Sequence, residues 1–178
     1  MQNNSQSESV ALGFLDSYPS GKETIILPSG KSVEVKKYFL KFKKWNGNPI
    51  TSTYGRKAVI DFNGKPVFAE LAVLRLAQSH GWQGVWVDKK KYRVGLLDVA
   101  SVIIPDDKQK IINEIRSKIS GLGGCWDLFL WKGNQTLFVE LKSKVDRKQD
   151  SQIQWLEASL DFGYPVANFI FIKWELIK

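Results

Sequence analysis

The spacing of hydrophobic and polar positions changes several times along this chain, and each spacing predicts a type of secondary structure. Residues 23–45 hold two runs of β-branched and aromatic residues on either side of a turn at residues 28–31, which predicts two strands. In the second run, hydrophobic and basic side chains alternate with period two, as in a sheet with one solvated face. These lysines either contact phosphates or protect the exposed face of an edge strand. Tyr38, Leu40 and Phe42 fall on one face, and Lys37, Lys41 and Lys43 fall on the other.

The pattern changes to helical spacing after a short strand that closes at residues 63–64. Apolar residues recur at that spacing in residues 67–77, Pro66 suits the first turn of the helix, and Gly81 ends it. One acidic residue, Glu70, shares the apolar stripe of this helix instead of its polar side. A buried glutamate needs a cation, a hydrogen-bond donor or a raised pKa, whereas a glutamate at the edge of the stripe needs none; both interpretations stay open.

The second half of the chain alternates strands and helices. A strand begins at Val85, residues 89–91 form a basic turn, and an apolar segment of extended character leads to an amphipathic helix at residues 106–119. The sequence then reads as two strands, a helix at residues 150–163 and a final strand at residues 166–176. This order predicts an α/β fold in one compact domain.

Composition and charge narrow the function classes. The 178 residues are 43% hydrophobic and 12% aromatic, as in a globular protein, and the formal net charge is +8. This basic balance favours a polyanionic partner, nucleic acid before an anionic membrane surface, because lysines and arginines neutralise phosphates. The first nine residues lack the features of a signal peptide, and no apolar segment is long enough to span a membrane. Cys125 is the single cysteine, so an internal disulfide is excluded. We therefore expect a cytoplasmic protein without membrane association.

The segment that carries chemistry is a hairpin in the last third of the chain. Gly133 and Asn134 form a two-residue loop between two strand-like runs, and counting outward from this loop places Asp127 opposite Glu140. Opposed residues of paired strands have Cβ atoms about 5 Å apart, close enough for two carboxylates to share one cation. Lys142 points to the same face, because side chains alternate along a strand.

The hydrophobic surroundings make this trio of charges costly unless the charges are neutralised. Both faces of the hairpin are apolar, so two opposed carboxylates would repel each other in a poorly solvated place, and a hard divalent cation would relieve that repulsion. The alternative is purely structural. In that case Lys142 pairs with one carboxylate, the other carboxylate reaches water at the strand end, and no metal is needed.

An ordered set of motifs runs through the last third of the chain. An acidic residue opens a strand, the next strand ends in E-x-K, a D-R linker follows, and a helix carries Q-x-x-W-L before a glycine. This order resembles the PD-(D/E)xK nuclease superfamily, in particular its virus-type replication-repair nuclease branch, the VRR-NUC domains. Trp126 is a departure, since a proline often precedes the aspartate in that branch. The motif residues here are Asp127, Glu140-Leu141-Lys142, Asp146-Arg147, Gln152-Ile153-Gln154-Trp155-Leu156 and Gly163.

The resemblance implies a restriction-endonuclease-like core, in which helices flank a central mixed β-sheet, with an N-terminal β-hairpin extension. It divides the chain into a polar tail at residues 1–9, a β-rich extension at residues 10–65 and a nuclease core at residues 66–178. A strand-helix segment at about residues 88–120 is inserted in that core. Glu70 loosely matches the upstream helix glutamate of the family.

The resemblance also implies hydrolysis of phosphodiester bonds in DNA by a Mg²⁺- or Mn²⁺-dependent endonuclease, with repair or junction processing as its setting. Asp127 and Glu140 would hold the metal together with the backbone carbonyl of Leu141, and Glu70 would add a ligand. Lys142 would orient or deprotonate the attacking water.

Further expectations concern Gln152 and the partners of the protein. Gln152 would position the catalytic lysine or the phosphate. Single-domain nucleases of this class often pair so that two sites address two strands, which would give a homodimer. The chain carries no dimer signal of its own, so its oligomeric state stays open. A non-catalytic nucleic-acid-binding module and a restriction or defence nuclease are alternatives on the same fold. The basic residues expected to contact nucleic acid are Lys37, Lys41, Lys43, Lys44, Lys89, Lys90, Lys91, Lys144 and Arg147.

Overall fold

A computed structural model of the chain describes residues 12–50, 57–88, 91–94, 102–119, 124–144, 146 and 149–177. In those ranges nine strands form one mixed sheet, and three α-helices pack against it. The predicted tail at residues 1–9, residues 95–101 of the apolar segment, Lys89, Lys90 and Arg147 lie outside the described residues. None of the helices in the described ranges is long and apolar enough to cross a membrane.

The bounds of the elements follow the hydrophobic pattern of the sequence. The strands are β1 Ser20–Ile26, β2 Ser32–Lys44, β3 Ile60–Phe62, β4 Lys65–Val67, β5 Gln83–Asp88, β6 Lys91–Arg93, β7 Leu128–Lys132, β8 Gln135–Ser143 and β9 Phe169–Ile177. The helices are α1 Ala69–Gln78, α2 Asp106–Ser117 and α3 Asp150–Asp161, and a short 3-10 turn, Val166–Asn168, precedes β9. The predicted strand-strand-helix-strand order of the last segment is confirmed.

Parallel pairing in the middle of the sheet brings sequence-distant strands together. The strand order is β4-β3-β2-β9-β8-β7-β5-β6, and β1 pairs with the first part of β2. β9 runs parallel to both of its neighbours, β2 and β8, whereas the other strand pairs are antiparallel. These features confirm an α/β fold of the restriction-endonuclease-like type, with a mixed central sheet, flanking helices and an N-terminal hairpin.

Hydrophobic cores fill both faces of the sheet. On one face, α1 packs over side chains of β2, β7, β8 and β9. On the other face, α2 and α3 cover an aromatic cluster in which Phe138 stacks between Phe129 and Phe169, at ring-centroid distances of 4.9 and 5.1 Å. These three residues belong to β7, β8 and β9, so aromatic packing fixes the strands that carry the candidate site.

Two local interpretations are wrong. Pro66 lies in β4 and not in the first turn of the helix, because residues 60–67 form a hairpin around Asn63 and Gly64, whose φ angles of 54° and 76° suit a tight turn. The helix begins only at Ala69. The edge-strand interpretation of β2 also fails for most of the strand, since residues 32–38 pair with β1, residues 43–44 pair with β3, and residues 36–43 pair with β9 on the other side.

A glycine lets β5 lie closely against β7. Gly84 pairs with Leu130, and a Cβ atom on Gly84 would lie 2.4 Å from Leu130 Cδ2 and 2.7 Å from the Phe129 carbonyl oxygen. Along the same pair of strands, the Val87 N–H donates a hydrogen bond of 2.7 Å to the carbonyl oxygen of Asp127. The close approach at Gly84 therefore supports the position of Asp127.

We predict that Gly84→Ala lowers the free energy of unfolding by about 1–3 kcal/mol, because strand β7 must shift to admit the methyl group. Urea unfolding followed by circular dichroism measures this change. Gly21→Ala in β1 is the matched control, since its added Cβ meets no atom closer than 3.6 Å. The control should be nearly as stable as the wild type. Equal stability of the Gly84 variant would contradict the tight packing of β5 on β7.

Candidate active site

The β7–β8 hairpin has the register that its two-residue loop predicts. Pairing extends from the loop to Leu128 and Val139. Asp127 and Glu140 are the next residues outward, so they lie opposite each other where the regular pairing ends. The predicted register is confirmed.

Backbone donors hold the two carboxylates across this pair. The Asp127 N–H donates to Glu140 Oε2 at 3.2 Å, and the Leu141 N–H donates to Asp127 Oδ2 at 2.9 Å. Each acidic side chain is therefore tied to the backbone of the opposite strand. The two acids cannot move apart without breaking these hydrogen bonds.

Lys142 and Gln152 form a closed network with Glu140. Lys142 Nζ lies 2.8 Å from Glu140 Oε1 and donates to Gln152 Oε1 at 2.9 Å, while Gln152 Nε2 donates to Glu140 Oε1 at 2.5 Å. Glu140 and Lys142 are only 2% and 4% exposed. Hydrogen bonds are stronger in such a poorly solvated place, so the network holds all three side chains in position.

The start of α3 places Gln152 beside the strands. The Gln149 N–H donates to Gln152 Oε1 at 3.1 Å, and the Trp126 indole donates to the Gln152 carbonyl oxygen at 3.1 Å. Trp155, three residues further along the helix, is fully buried in the aromatic core. The Q-x-x-W-L spacing thus has a physical basis: the tryptophan anchors the helix, and the glutamine reaches the acids.

Glu70 enters the site from α1 with a partner that sequence reasoning missed. Its carboxylate forms an ion pair with Lys57, and Lys57 Nζ lies 5.0 Å from the centre of the Trp86 ring. The hydrogen-bond donor that a buried glutamate requires is therefore a lysine 13 residues earlier in the chain. No motif surrounds Lys57, so the sequence offered no signal that could have found it.

One cavity joins these side chains. Its volume is about 670 Å³, within the range of ligand-binding clefts. Trp174 and Glu175 of β9, which the sequence did not indicate, also form part of its wall. The predicted site residues that line it are Glu70, Asp127, Glu140, Leu141, Lys142, Lys144 and Gln152.

Burial and like charge raise the pKa of both acids of the hairpin. Desolvation is the main cause for Asp127, and the charges of Glu140 and Glu70 add to it, so its pKa stands well above the usual range. Desolvation also raises the pKa of Glu140, although the Lys142 ammonium opposes that change. The ionised pair is therefore held at an electrostatic cost.

The chemistry of this donor set suits a hard divalent cation, although a complete cage is not assembled. A cation near the two adjacent carboxylates would offset their repulsion. Within the described ranges, however, no three histidine, cysteine, aspartate or glutamate side chains are grouped so as to hold a metal ion. Glu70 shares the cavity with Asp127 but is engaged by Lys57. Metal binding, and a ligand role for Glu70, stay predictions.

Several basic residues predicted to contact nucleic acid have acidic neighbours. Lys37 Nζ lies 3.7 Å from a Glu23 oxygen, Lys41 Nζ lies 3.5 Å from a Glu175 oxygen, and Lys144 also pairs with Glu175. Their contact with nucleic acid stays a prediction. The other described members of the set are exposed, namely Lys43 and Lys44 at the end of β2 and Lys91 in β6.

Comparison with known families agrees with this geometry. The family model of the VRR-NUC domain matches residues 80–169, just over half of the 178 residues. The chain belongs to the VRR-NUC family. This confirms the predicted branch of the PD-(D/E)xK nuclease superfamily, and the matched segment includes the hairpin acids, Lys142 and Gln152 but not Glu70. A search of curated proteins finds no match to the chain. The homodimer and the cytoplasmic location stay predictions.

We predict that Asp127→Asn stabilises this VRR-NUC protein in the presence of a chelator, by an amount that grows with pH. When a carboxyl group has a higher pKa in the folded state than in the unfolded state, it contributes to stability in full at pH values below its unfolded pKa of about 3.9. That contribution is lost as the pH rises toward the folded pKa. The variant should melt close to the wild type at about pH 4 and above it at about pH 7.5. Differential scanning calorimetry measures both melting temperatures.

Asp146→Asn is a control for which we expect the opposite change in melting temperature. Burial acts to raise the pKa of Asp146, but hydrogen bonds from the Ser143 N–H and hydroxyl outweigh it and lower that pKa. The stabilising contribution of Asp146 is therefore present above its unfolded pKa and is lost as the pH falls. This variant should melt below the wild type at neutral pH. If both variants shifted the melting temperature in the same direction, the electrostatic explanation would be wrong.

Proposed function

We propose that this protein is a Mg²⁺- or Mn²⁺-dependent endonuclease that hydrolyses phosphodiester bonds in DNA, with branched or junction DNA in repair as its substrates. Membership of the VRR-NUC family supports nuclease activity and a nucleic-acid substrate. The observation that carries the finer proposal is the network of Glu140, Lys142 and Gln152 beside Asp127 in one cavity. Carboxylates that can hold a metal ion, beside an ammonium that can act on a water molecule or a phosphate oxygen, are suited to metal-assisted phosphodiester hydrolysis.

Asp127 and Glu140 are the residues that would hold the metal ion, together with the backbone carbonyl of Leu141. A cation held there would make a nearby water more acidic and would offset negative charge on the scissile phosphate. The raised pKa of Asp127 supports this role, because a cation relieves the repulsion that causes part of the shift. Glu70 would have to exchange its contact with Lys57 in order to become a ligand.

Lys142 acts on the reacting groups in this proposal. An ammonium group has three N–H donors, and two of those of Lys142 are directed at Glu140 and Gln152. The third donor is left for the attacking water or for a phosphate oxygen, where it stabilises the negative charge that develops in the transition state. Gln152 is a positioning residue, because its amide binds Glu140 and Lys142 at the same time.

We predict that the purified chain cleaves labelled DNA with Mg²⁺ or Mn²⁺ and that a chelator abolishes cleavage. The assay compares single strands, duplexes, forks and four-way junctions, and denaturing electrophoresis resolves the products. Asp127→Ala, Glu140→Ala and Lys142→Ala should each lower kcat about 100-fold or more, because each removes a charged group that acts at the scissile phosphate.

The matched controls for this assay are Glu114→Ala and Lys132→Ala, which alter charged residues outside the cavity. Both should cleave as fast as the wild type. Cleavage that persists in chelator would overturn the metal-dependent mechanism, and full activity of Lys142→Ala would overturn the assignment of the site. DNA binding without cleavage under every condition would instead identify a non-catalytic binding module.

We predict that Gln152→Ala lowers kcat about 10- to 100-fold, as is usual when a group that orients the primary catalytic residues is removed. The KM for DNA should change little, since Gln152 acts through Glu140 and Lys142. Gln154→Ala is the control, because that side chain is exposed on the same helix. Steady-state kinetics with a labelled oligonucleotide separates kcat from KM. A rise in KM at constant kcat would show that Gln152 contacts DNA and does not position the lysine.

A further inference from the structure

A second groove opens beside the active-site cavity. Its volume is about 380 Å³, and the two share a wall formed by Lys142, Ser143, Lys144, Trp174 and Glu175. The groove continues over β2 and over the later residues of β9, which lie outside the segment matched to the VRR-NUC family. The residues that line only the groove are Lys37, Phe39, Leu40, Lys41 and Lys173.

Strand register places the groove residues in rows across three adjacent strands. Phe39 of β2 pairs with Lys173 of β9, and Lys173 pairs with Lys142 of β8. Neighbouring strands lie about 4.8 Å apart, so the backbone of Phe39 stands roughly 10 Å from that of the catalytic lysine. In the next row, Lys41 pairs with Glu175. The groove therefore leads directly away from the proposed point of cleavage.

Positive charge exceeds negative charge in this groove. Among the residues that the structure describes, five lysines and one glutamate line it. The glutamate, Glu175, is engaged by two of these lysines. Glu23 lies 3.7 and 3.9 Å from two others, but its side chain is only 15% exposed. Lys142 is paired with Glu140, so the five lysines exceed these three carboxylates by two. That excess complements a phosphate backbone, because cations that neutralise phosphates release condensed counterions.

An aromatic ring with a free surface lies among these lysines. Phe39 is 43% exposed, although phenylalanine side chains are usually buried. Lys37 Nζ lies 5.6 Å from the centre of the ring. Surfaces that follow a single nucleic-acid strand combine such cations with exposed aromatic rings, since the phosphates meet the lysines and an unpaired base stacks on the ring.

We infer that this groove binds a single-stranded segment of DNA next to the scissile phosphate, with one unpaired base stacked on Phe39. A base inside a duplex is already covered by its neighbours on both faces and offers none to the ring, whereas an unpaired base does. The inference rests on the proposed function and specifies its substrate class. The enzyme selects DNA in which the strand beside the cleaved bond is unpaired.

The test measures binding in chelator, so that cleavage does not intervene. A short labelled single strand and a blunt duplex of the same sequence are titrated with the full chain, and fluorescence anisotropy reports the dissociation constants. Phe39→Ala should weaken single-strand binding about five- to 150-fold, the range for loss of one base-aromatic stack, and leave duplex binding nearly unchanged. Phe39→Trp should keep the wild-type affinity, whereas Phe39→Leu, which retains apolar area without an aromatic face, should behave like the alanine variant.

The chain offers matched controls for both components of the surface. Phe162 at the end of α3 is 38% exposed and lies 5.3 Å from Lys118 Nζ, so Phe162→Ala removes an exposed ring beside a lysine elsewhere on the molecule. Lys22 pairs with Glu34 much as Lys41 pairs with Glu175. Lys41→Gln should therefore reduce the salt dependence of single-strand binding, and Lys22→Gln should not.

Three outcomes with the alanine variants would overturn the inference. They are unchanged single-strand affinity of Phe39→Ala, equal loss of single-strand and duplex affinity in that variant, and a comparable loss in Phe162→Ala. If the alanine variant has a low melting temperature, Phe39→Trp still tests the inference. A tryptophan variant that is stable but binds single strands weakly would also contradict stacking.

The cleavage assay separates this inference from the proposed function. Binding that depends on Phe39 without cleavage in any metal supports the groove and defeats the nuclease proposal. If the wild type and Phe39→Ala both cleave DNA with metal and show the same preference among single strands, forks and duplexes, the groove inference is wrong and the nuclease proposal stands.

Discussion

Two carboxylates of like charge face each other at the outer end of the β7–β8 hairpin, between hydrophobic cores that lie on the two faces of the sheet. Asp127 and Glu140 cannot separate, since each accepts a backbone N–H from the opposite strand. Their repulsion and their loss of solvent both oppose ionisation, and Lys142 balances only Glu140 directly. The hairpin therefore keeps negative charge in place at an energetic cost, and that cost is the physical basis of the proposed affinity for a cation.

The aromatic core keeps this arrangement rigid. The rings of β7, β8 and β9 stack on one another beneath α3, and Trp126 lies against Phe171 with ring centroids 4.8 Å apart. The Trp126 indole also holds the first turn of α3 through the Gln152 carbonyl. The residue in front of the aspartate thus joins the core, the helix and the network. In place of the proline that is common in the family, Trp126 supplies a large side chain that packs between these parts.

Local signals in the sequence were sufficient for the centre of the site and insufficient for its surroundings. A two-residue loop fixes hairpin register, so the opposition of Asp127 and Glu140 was predictable, as was Gln152 from its spacing to Trp155. The ion pair between Lys57 and Glu70 was not predictable, because it depends on how α1 docks on the sheet. The basic character of β2 was visible as alternation, yet its position beside β9 was not, since long-range parallel pairing leaves no local trace. The helix start was misplaced because Pro66 suits an edge strand as well as a first turn.

The position of β9 has a consequence for folding. This strand lies between β8 and β2, and its contacts join residues as distant in sequence as Lys36 and Ile170. Pairing over such separations closes a long loop and forms slowly, whereas the β7–β8 hairpin closes through a short one. Asp127 and Glu140 can therefore come together early in folding. The groove beside them, which Lys173 lines, forms only after β9 has paired with β2 and β8. A partly folded chain would hold the reactive groups together before it held any surface that restricts what reaches them.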